Sequence, residues 1–254
     1  MLSTIVLAAS VVLLSIDGLK PDYVLSADAH GLKIPNLRRL VEEGSYATGV
    51  KGVYPTVTYP SHATMLTGVS PSRHGIFANH PFDPMDENLD GWYWYAEDLR
   101  SETLWEAVRH AGRVTASVDW PVSVGAPVDY NIVQYWRAGN AEDRKIMRAL
   151  STPGLLREAE AAVGAYPEGN DYTLEADRRR AAFVDFVLRE KTPAFLTAYF
   201  AGLDTEQHAS GPYSAKTFEV LEGLDELVGQ LRARADVLCV VSDHGFLTSD
   251  KEVN

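Results

Sequence analysis

Three runs of this chain pass from apolar, β-branched-rich sequence into an aspartate, and that repeated transition constrains the fold more than any other feature. Val-Val-Leu-Leu-Ser-Ile leads to Asp17, Phe-Leu-Thr-Ala-Tyr-Phe-Ala-Gly-Leu to Asp204, and Val-Leu-Cys-Val-Val-Ser to Asp243. Short continuous apolar runs bounded by turn residues read as strands buried on both faces, as parallel sheets require. Segments 34–43, 103–110, 174–189 and 215–233 carry apolar residues at helical spacing. Pro35 near the start of the first and Gly44 just past its end are typical helix punctuation. Further strands are expected at 114–118, 194–200 and 237–242. Strands alternating with helices predict an α/β fold, a mostly parallel sheet flanked by helices. From 130 to 173 the pattern loosens, with helices only at 141–150 and 153–163, and a helical insertion or cap is expected there.

In a parallel sheet the carboxyl ends of the strands share one edge, where open α/β folds place their ligands. One Asp after a strand is commonly only a turn former. Here Asp204 is followed four residues later by His208, and Asp243 directly by His244. Carboxylate with imidazole is a donor set that zinc accepts, and two such pairs on one edge suggest two metals. The segment from Tyr54 to Gly68 adds a hydroxyl. Pro60 suits the first turn of a helix running to about Thr67, so Thr58 falls just before a helix N-terminus, where free N–H groups and the helix dipole favour a phosphoryl group. A metal-coordinated hydroxyl there can act as a nucleophile; the alternative is that Thr58 caps the helix.

Lys plus Arg total 23 against 35 Asp plus Glu, a net charge of −12. With no basic run, a long nucleic acid is excluded as a partner, whereas a small phosphorylated substrate is not, because a bound divalent metal sets the local field. Cys239 lies in an apolar strand and is expected to be a small buried hydrophobe. The N-terminal residues read as a clipped secretion signal or an extended first strand, without a positive leader region and too short to span a bilayer. The aromatic stretch 90–96 and Trp120-Pro121 could stack on a base or pack internally, and Trp120 is placed nearer the pocket because it follows a strand end.

The order Ser-Ile-Asp17-Gly, Pro-Thr-Val-Thr58-Tyr-Pro-Ser-His-Ala-Thr-Met-Leu-Thr-Gly, Ser-Arg-His-Gly-Ile, Asp204-x-x-x-His208 and Ser-Asp243-His244-Gly resembles the nucleotide pyrophosphatase/phosphodiesterase family of the alkaline-phosphatase superfamily, over nearly the whole chain. The resemblance implies an alkaline-phosphatase-like core, two zinc ions, a covalent phospho-threonine on Thr58, and hydrolysis of phosphodiester or pyrophosphate bonds. It assigns Asp17, Thr58, Asp243 and His244 to one zinc and Asp204 and His208 to the other. It also aims Asn79, otherwise a turn residue, at a nonbridging phosphate oxygen. His80 beside it and Trp120 complete the substrate-binding candidates. The implied substrate is small and phosphorylated, nucleotides included, and the implied location is periplasmic or secreted. Two departures stand out. Pro60-Ser61-His62 replaces the family's Pro-Asn-His. The family's further His ligand to the second zinc comes from well downstream, so the chain is expected to be C-terminally incomplete, a single catalytic domain with one ligand of that site missing. Thr58, in place of Cys or Ser, argues against a sulfatase. A phosphomonoesterase and a noncatalytic metal- or phosphate-binding fragment are the rival readings. His30, His62, His74 and His110 are assigned structural or surface roles.

Overall fold

The computed structural model describes residues 9–85, 87, 91–137 and 139–248; the first eight residues and Asp90 of the aromatic stretch lie outside the described residues. The chain runs β1 (Val11–Ile16), α1 (Pro21–Leu25), α2 (Ala27–His30), α3 (Pro35–Glu43), α4 (Thr58–Thr67), α5 (Pro71–His74), a 3₁₀ turn (Ala96–Asp98), α6 (Leu104–His110), β2 (Thr115–Val118) and β3 (Tyr130–Ile132). It continues through α7 (Ala141–Leu150), α8 (Leu155–Val163), α9 (Leu174–Lys191), β4 (Phe195–Phe200), α10 (Gly202–Ser210), α11 (Ala215–Arg232) and β5 (Val237–Val241). The five strands form one sheet in the order β3-β2-β4-β1-β5, with every pairing parallel. This is the expected α/β architecture.

The period-2 alternation of the strands divides the core between two layers of helices. Val12, Leu14 and Ile16 of β1, with Leu196, Ala198 and Phe200 of β4, join the cluster containing Phe183, Val184 and Val187 of α9 and Leu224 and Val228 of α11. The other face sets Phe195 and Tyr199 of β4 against Leu66 of α4, Trp105 of α6, and Trp120. This second face is the more polar one: Ser15 and Thr197 are fully buried, and the Trp105 indole N–H donates to the Thr197 hydroxyl at 3.2 Å. Polar strand positions on the α4 side lead directly to the functional edge.

Two expectations change. Residues 130–173 do not form a separate cap throughout: 130–132 are strand β3, paired with β2, and α8 packs on α9 and β3. Helical periodicity cannot reveal a three-residue edge strand, and β3 was lost in the loose pattern. Cys239 is exposed rather than buried. The cause is topological. Among the described residues β5 pairs only with β1, leaving Val237 46% exposed.

One buried ionic cluster ties the layers together. Arg180 of α9 is wholly buried, with its Nε 2.7 Å from Asp119 Oδ2 and its Nη1 3.2 Å from Asp177 Oδ1. The closer contact is an ion pair whose N–H is poorly aligned, since neither Arg180 Nε nor Asp119 Oδ2 makes a hydrogen bond. Burial pushes the Asp119 carboxyl up to about 7 and that of Asp177 up to about 6, against the opposing pull of Arg180. Both values exceed the unfolded reference of about 3.9. The folded state therefore takes up these protons first, and the cluster's contribution to stability is greatest below about pH 4 and falls as pH rises through about 6–7. Asp119→Asn removes one such group. Between pH 5 and pH 8 the stability of the variant relative to the parent should rise by roughly 2 kcal/mol. Denaturant titrations of both proteins without metal check this; a difference independent of pH would show that Asp119 ionises normally.

Candidate active site

β4, β1 and β5 are adjacent, so the sequences following them converge at one corner of the sheet. Asp17 follows β1 directly and leads into Gly18, whose φ of +69° makes the turn. Asp243 Oδ1 accepts the Gly18 N–H at 3.3 Å and the His244 N–H at 3.0 Å. The Gln207 side chain donates to the Gly18 carbonyl at 3.0 Å. A Cβ on Gly18 would stand 2.6 Å from that Gln207 nitrogen and would be strained at this positive φ, so the two loops and α10 meet around glycine. Asp204 occupies the first turn of α10, and His208 lies one turn further on.

Oxygen and nitrogen atoms of Asp17, Asp204 and His244 all lie within 4.8 Å of one another. His244 Nε2 is 3.2 Å from Asp17 Oδ1, 3.5 Å from Asp243 Oδ2 and 4.0 Å from Asp204 Oδ1. His208 Nε2 is 3.5 Å from Asp204 Oδ2, with its side chain 69% exposed. Asp17 Oδ1, Asp204 Oδ1 and Asp243 Oδ2 are buried and accept no hydrogen bond. Burial first, then Asp243 and Asp204, raises the Asp17 carboxyl well above its ordinary range, while the Tyr199 hydroxyl bonded to Asp17 Oδ2 opposes the shift. Asp204 is also raised, chiefly by burial. Three clustered carboxylates with unsatisfied oxygens, beside imidazoles, form a donor set that fits a divalent cation taking nitrogen and oxygen ligands.

Thr58 is the first residue of α4, one step further into the helix than the sequence suggests. The residue before it, Val57, provides no side-chain cap, so the hydroxyl of Thr58 is not explained by capping. Asn79 Oδ1 accepts the Tyr59 N–H at 3.0 Å, which places this amide beside the opening of α4. His80 is exposed; its Nδ1 lies 3.0 Å from the Gly91 carbonyl, and its ring is 4.4 Å from that of Trp92. Trp120 is fully buried and meets the His62 ring edge-on at 4.9 Å. It forms a wall behind α4 rather than a surface for a substrate, because the turn after β2 folds inward.

His62, assigned a structural or surface role, takes a structural one at the heart of the site. Burial lowers its pKa and keeps it neutral, so Nδ1–H donates to the Thr58 carbonyl at 2.8 Å and Nε2 accepts from the Ser15 hydroxyl at 2.9 Å. Asp243 Oδ2 lies 3.7 Å from the same Nδ1. This histidine thus links the threonine, the central strand and the carboxylate cluster. The i to i+4 spacing of Thr58 and His62 was the available signal. Tyr199 and Gln207 carried none, because only the fold brings them to Asp17 and Gly18. His30, His74 and His110 make local contacts, to Asp22, Thr64 and Glu102 respectively.

The fold and this corner describe an alkaline-phosphatase-like α/β domain with an acidic, histidine-containing site at the carboxyl edge of its sheet. A profile described as Type I phosphodiesterase / nucleotide pyrophosphatase matches residues 11–254, and the chain belongs to that family. It is 27% identical over 250 residues to human (Homo sapiens) ectonucleotide pyrophosphatase/phosphodiesterase family member 1, covering 92% of this chain and 23% of the relative. With the bis(5'-adenosyl)-triphosphatase ENPP4 of Bos taurus it shares 26% over 258 residues, 94% of this chain and 48% of that one. The chain therefore spans from about a quarter to half the length of these relatives. The phosphonoacetate hydrolase of Sinorhizobium meliloti superposes with a TM-score of 0.71 at 22% identity, over 94% of this chain and 56% of that one. Murine ectonucleotide pyrophosphatase/phosphodiesterase 5 gives 0.65 at 23%, over 95% and 58%. Both likenesses establish the fold.

Proposed function

We propose that this chain carries the nucleophile and most of the metal ligands of a phosphoric ester hydrolase that cleaves phosphodiester or pyrophosphate bonds, with small phosphorylated compounds such as nucleotides as substrates. The observation that carries this reading is the convergence of three unsatisfied carboxylate oxygens beside His244, with Thr58 tied to the same cluster through His62. The names of the relatives agree in reaction class. An inactive threonine-to-alanine variant of the murine member 5 was solved in complex with AMP, which supports a nucleotide-sized occupant.

Asp17, Thr58, Asp243 and His244 would hold one zinc, and Asp204 and His208 the other. Zinc, when bound, supplies the positive charge that lowers the pKa of a hydroxyl and neutralises a departing oxygen. Thr58 Oγ bonds to phosphorus as the bond to the leaving oxygen breaks, giving a phospho-threonine that water then hydrolyses. At the start of α4 the Tyr59 N–H is held by Asn79, Pro60 has none and the Ser61 N–H is bonded to the Val57 carbonyl, so the Thr58 N–H and the helix dipole are what this end offers a phosphoryl group. Asn79, fixed through its Oδ1, offers its amide N–H to a nonbridging oxygen. His62 holds the backbone of Thr58 against the central strand. Placement and charge neutralisation are the protein's share of phosphoryl transfer.

The test is the number of zinc ions bound per folded chain, measured by elemental analysis with turnover of a chromogenic diester alongside. Two ions with turnover is the expected result. One ion without turnover supports the noncatalytic fragment, and none after zinc is restored sinks the two-metal reading.

A further inference from the structure

α10 carries Asp204 and His208 but has no cap of its own. Its N-cap residue is Ala201, which has no side chain able to accept the free N–H groups of the first turn. The acceptor comes from another helix: Asp177 Oδ2 of α9 takes the Gly202 N–H at 2.8 Å. The fit is close. A Cβ on Gly202 would lie 2.7 Å from that same oxygen and 3.1 Å from the Leu174 nitrogen. Asp177 is itself immobilised by Arg180, whose Nη2 donates to the Asp171 carbonyl at 2.8 Å and whose guanidinium lies 4.7 Å from the Tyr172 ring. Asp177 and Arg180 are both fully buried. Asp204 stands two residues beyond Gly202, and its Oδ1 accepts no hydrogen bond. The position of the helix start therefore sets where that carboxylate meets His208 and His244.

We propose that Asp177, locked by Arg180, is a positioning residue for a divalent-cation site, setting through the Gly202 N–H where α10 begins and hence where Asp204 presents its carboxylate. The inference rests on the metal reading of Asp204 given above. An anionic acceptor at a helix N-terminus forms a charge-assisted hydrogen bond about twice as strong as a neutral one. Groups that orient ligands from behind typically govern metal affinity by about 10- to 100-fold. Asp177→Ala removes the acceptor, while Asp177→Asn keeps an amide oxygen and leaves Arg180 paired one-to-one with Asp119, so the fold survives.

Zinc affinity of the full chain, measured by competition with a chromophoric chelator, should fall about 10- to 100-fold at one site in Asp177→Ala and by less in Asp177→Asn, with the other site unchanged. A residue that only stabilised the fold would lower the melting temperature and leave the zinc affinity of the folded protein untouched. Wild-type affinity at both sites in the folded variants overturns the proposal, and Asp177→Asn alone decides if the alanine variant fails to fold. A parent chain that takes up no zinc defeats the metal reading instead. Amide exchange then judges the positioning separately: faster exchange at Leu203 and Asp204 in Asp177→Asn supports it, and unchanged exchange overturns it.

Discussion

Thr58→Ala should leave a folded, zinc-binding chain whose turnover falls by at least about 1,000-fold, equivalent to about 4 kcal/mol of lost transition-state stabilisation. The size of the effect follows from the proposed role, since the substitution removes the oxygen that would bond to phosphorus. The small structural effect follows from the geometry. Thr58 does not cap α4, and His62 binds its backbone carbonyl rather than its hydroxyl, so removal of the side chain breaks neither contact. Steady-state rates on a chromogenic diester, a zinc count and a thermal melt together separate these effects. Turnover within about tenfold of the parent would remove Thr58 from the chemistry, and a collapsed melt would show the residue to be structural.

Asp17→Asn should shift stability in opposite directions with and without metal. Without metal, Asp17 is a buried acid whose ionised form is disfavoured by burial and by Asp243 and Asp204. Replacing it with an amide removes that cost, and the metal-free protein should gain about 1 kcal/mol at pH 8, a rise of a few degrees in melting temperature for a chain of this size. With zinc in excess the order reverses, because loss of a carboxylate ligand should cost at least about 100-fold in affinity at that site. Melting curves with zinc and with a chelator make the comparison within one experiment. Equal shifts under both conditions would show that Asp17 does not act toward a cation.

Much of this architecture was legible in the sequence, for reasons visible in particular elements. α7 begins and ends where the apolar spacing placed it, and α3 starts at Pro35. Asp17, Asp204 and Asp243 were identifiable because a carboxylate after a buried strand has few other reasons to recur three times. α10 was not read as a helix, because its periodicity is weak and its cap comes from Asp177, a residue on a different element. The exposure of Cys239 depended on strand order, which no local pattern records. Trp120 was drawn toward the pocket by its place after β2, whereas the backbone reverses there, with positive φ at both Asp119 and Val122, and turns the indole inward. The structural role of His62 was read, but its partners were not, because the second of them, Ser15, lies 47 residues away.

The order of the strands also governs how this corner comes into being. β1 precedes the other described strands in the chain, yet among the described residues it pairs only with β4 and β5. As the chain emerges from the ribosome, both edges of that apolar strand lack their native neighbours until residues near 195 have been synthesised. Such delayed long-range pairing slows folding and leaves hydrophobic surface open to aggregation in the interval. The loop contact between Gly18 and Asp243 spans 225 positions, so the carboxylates come together only once this long-range pairing has formed. Nascent chains should therefore need protection at β1 until β4 and β5 are available, and the corner can take up a cation only after β5 has docked.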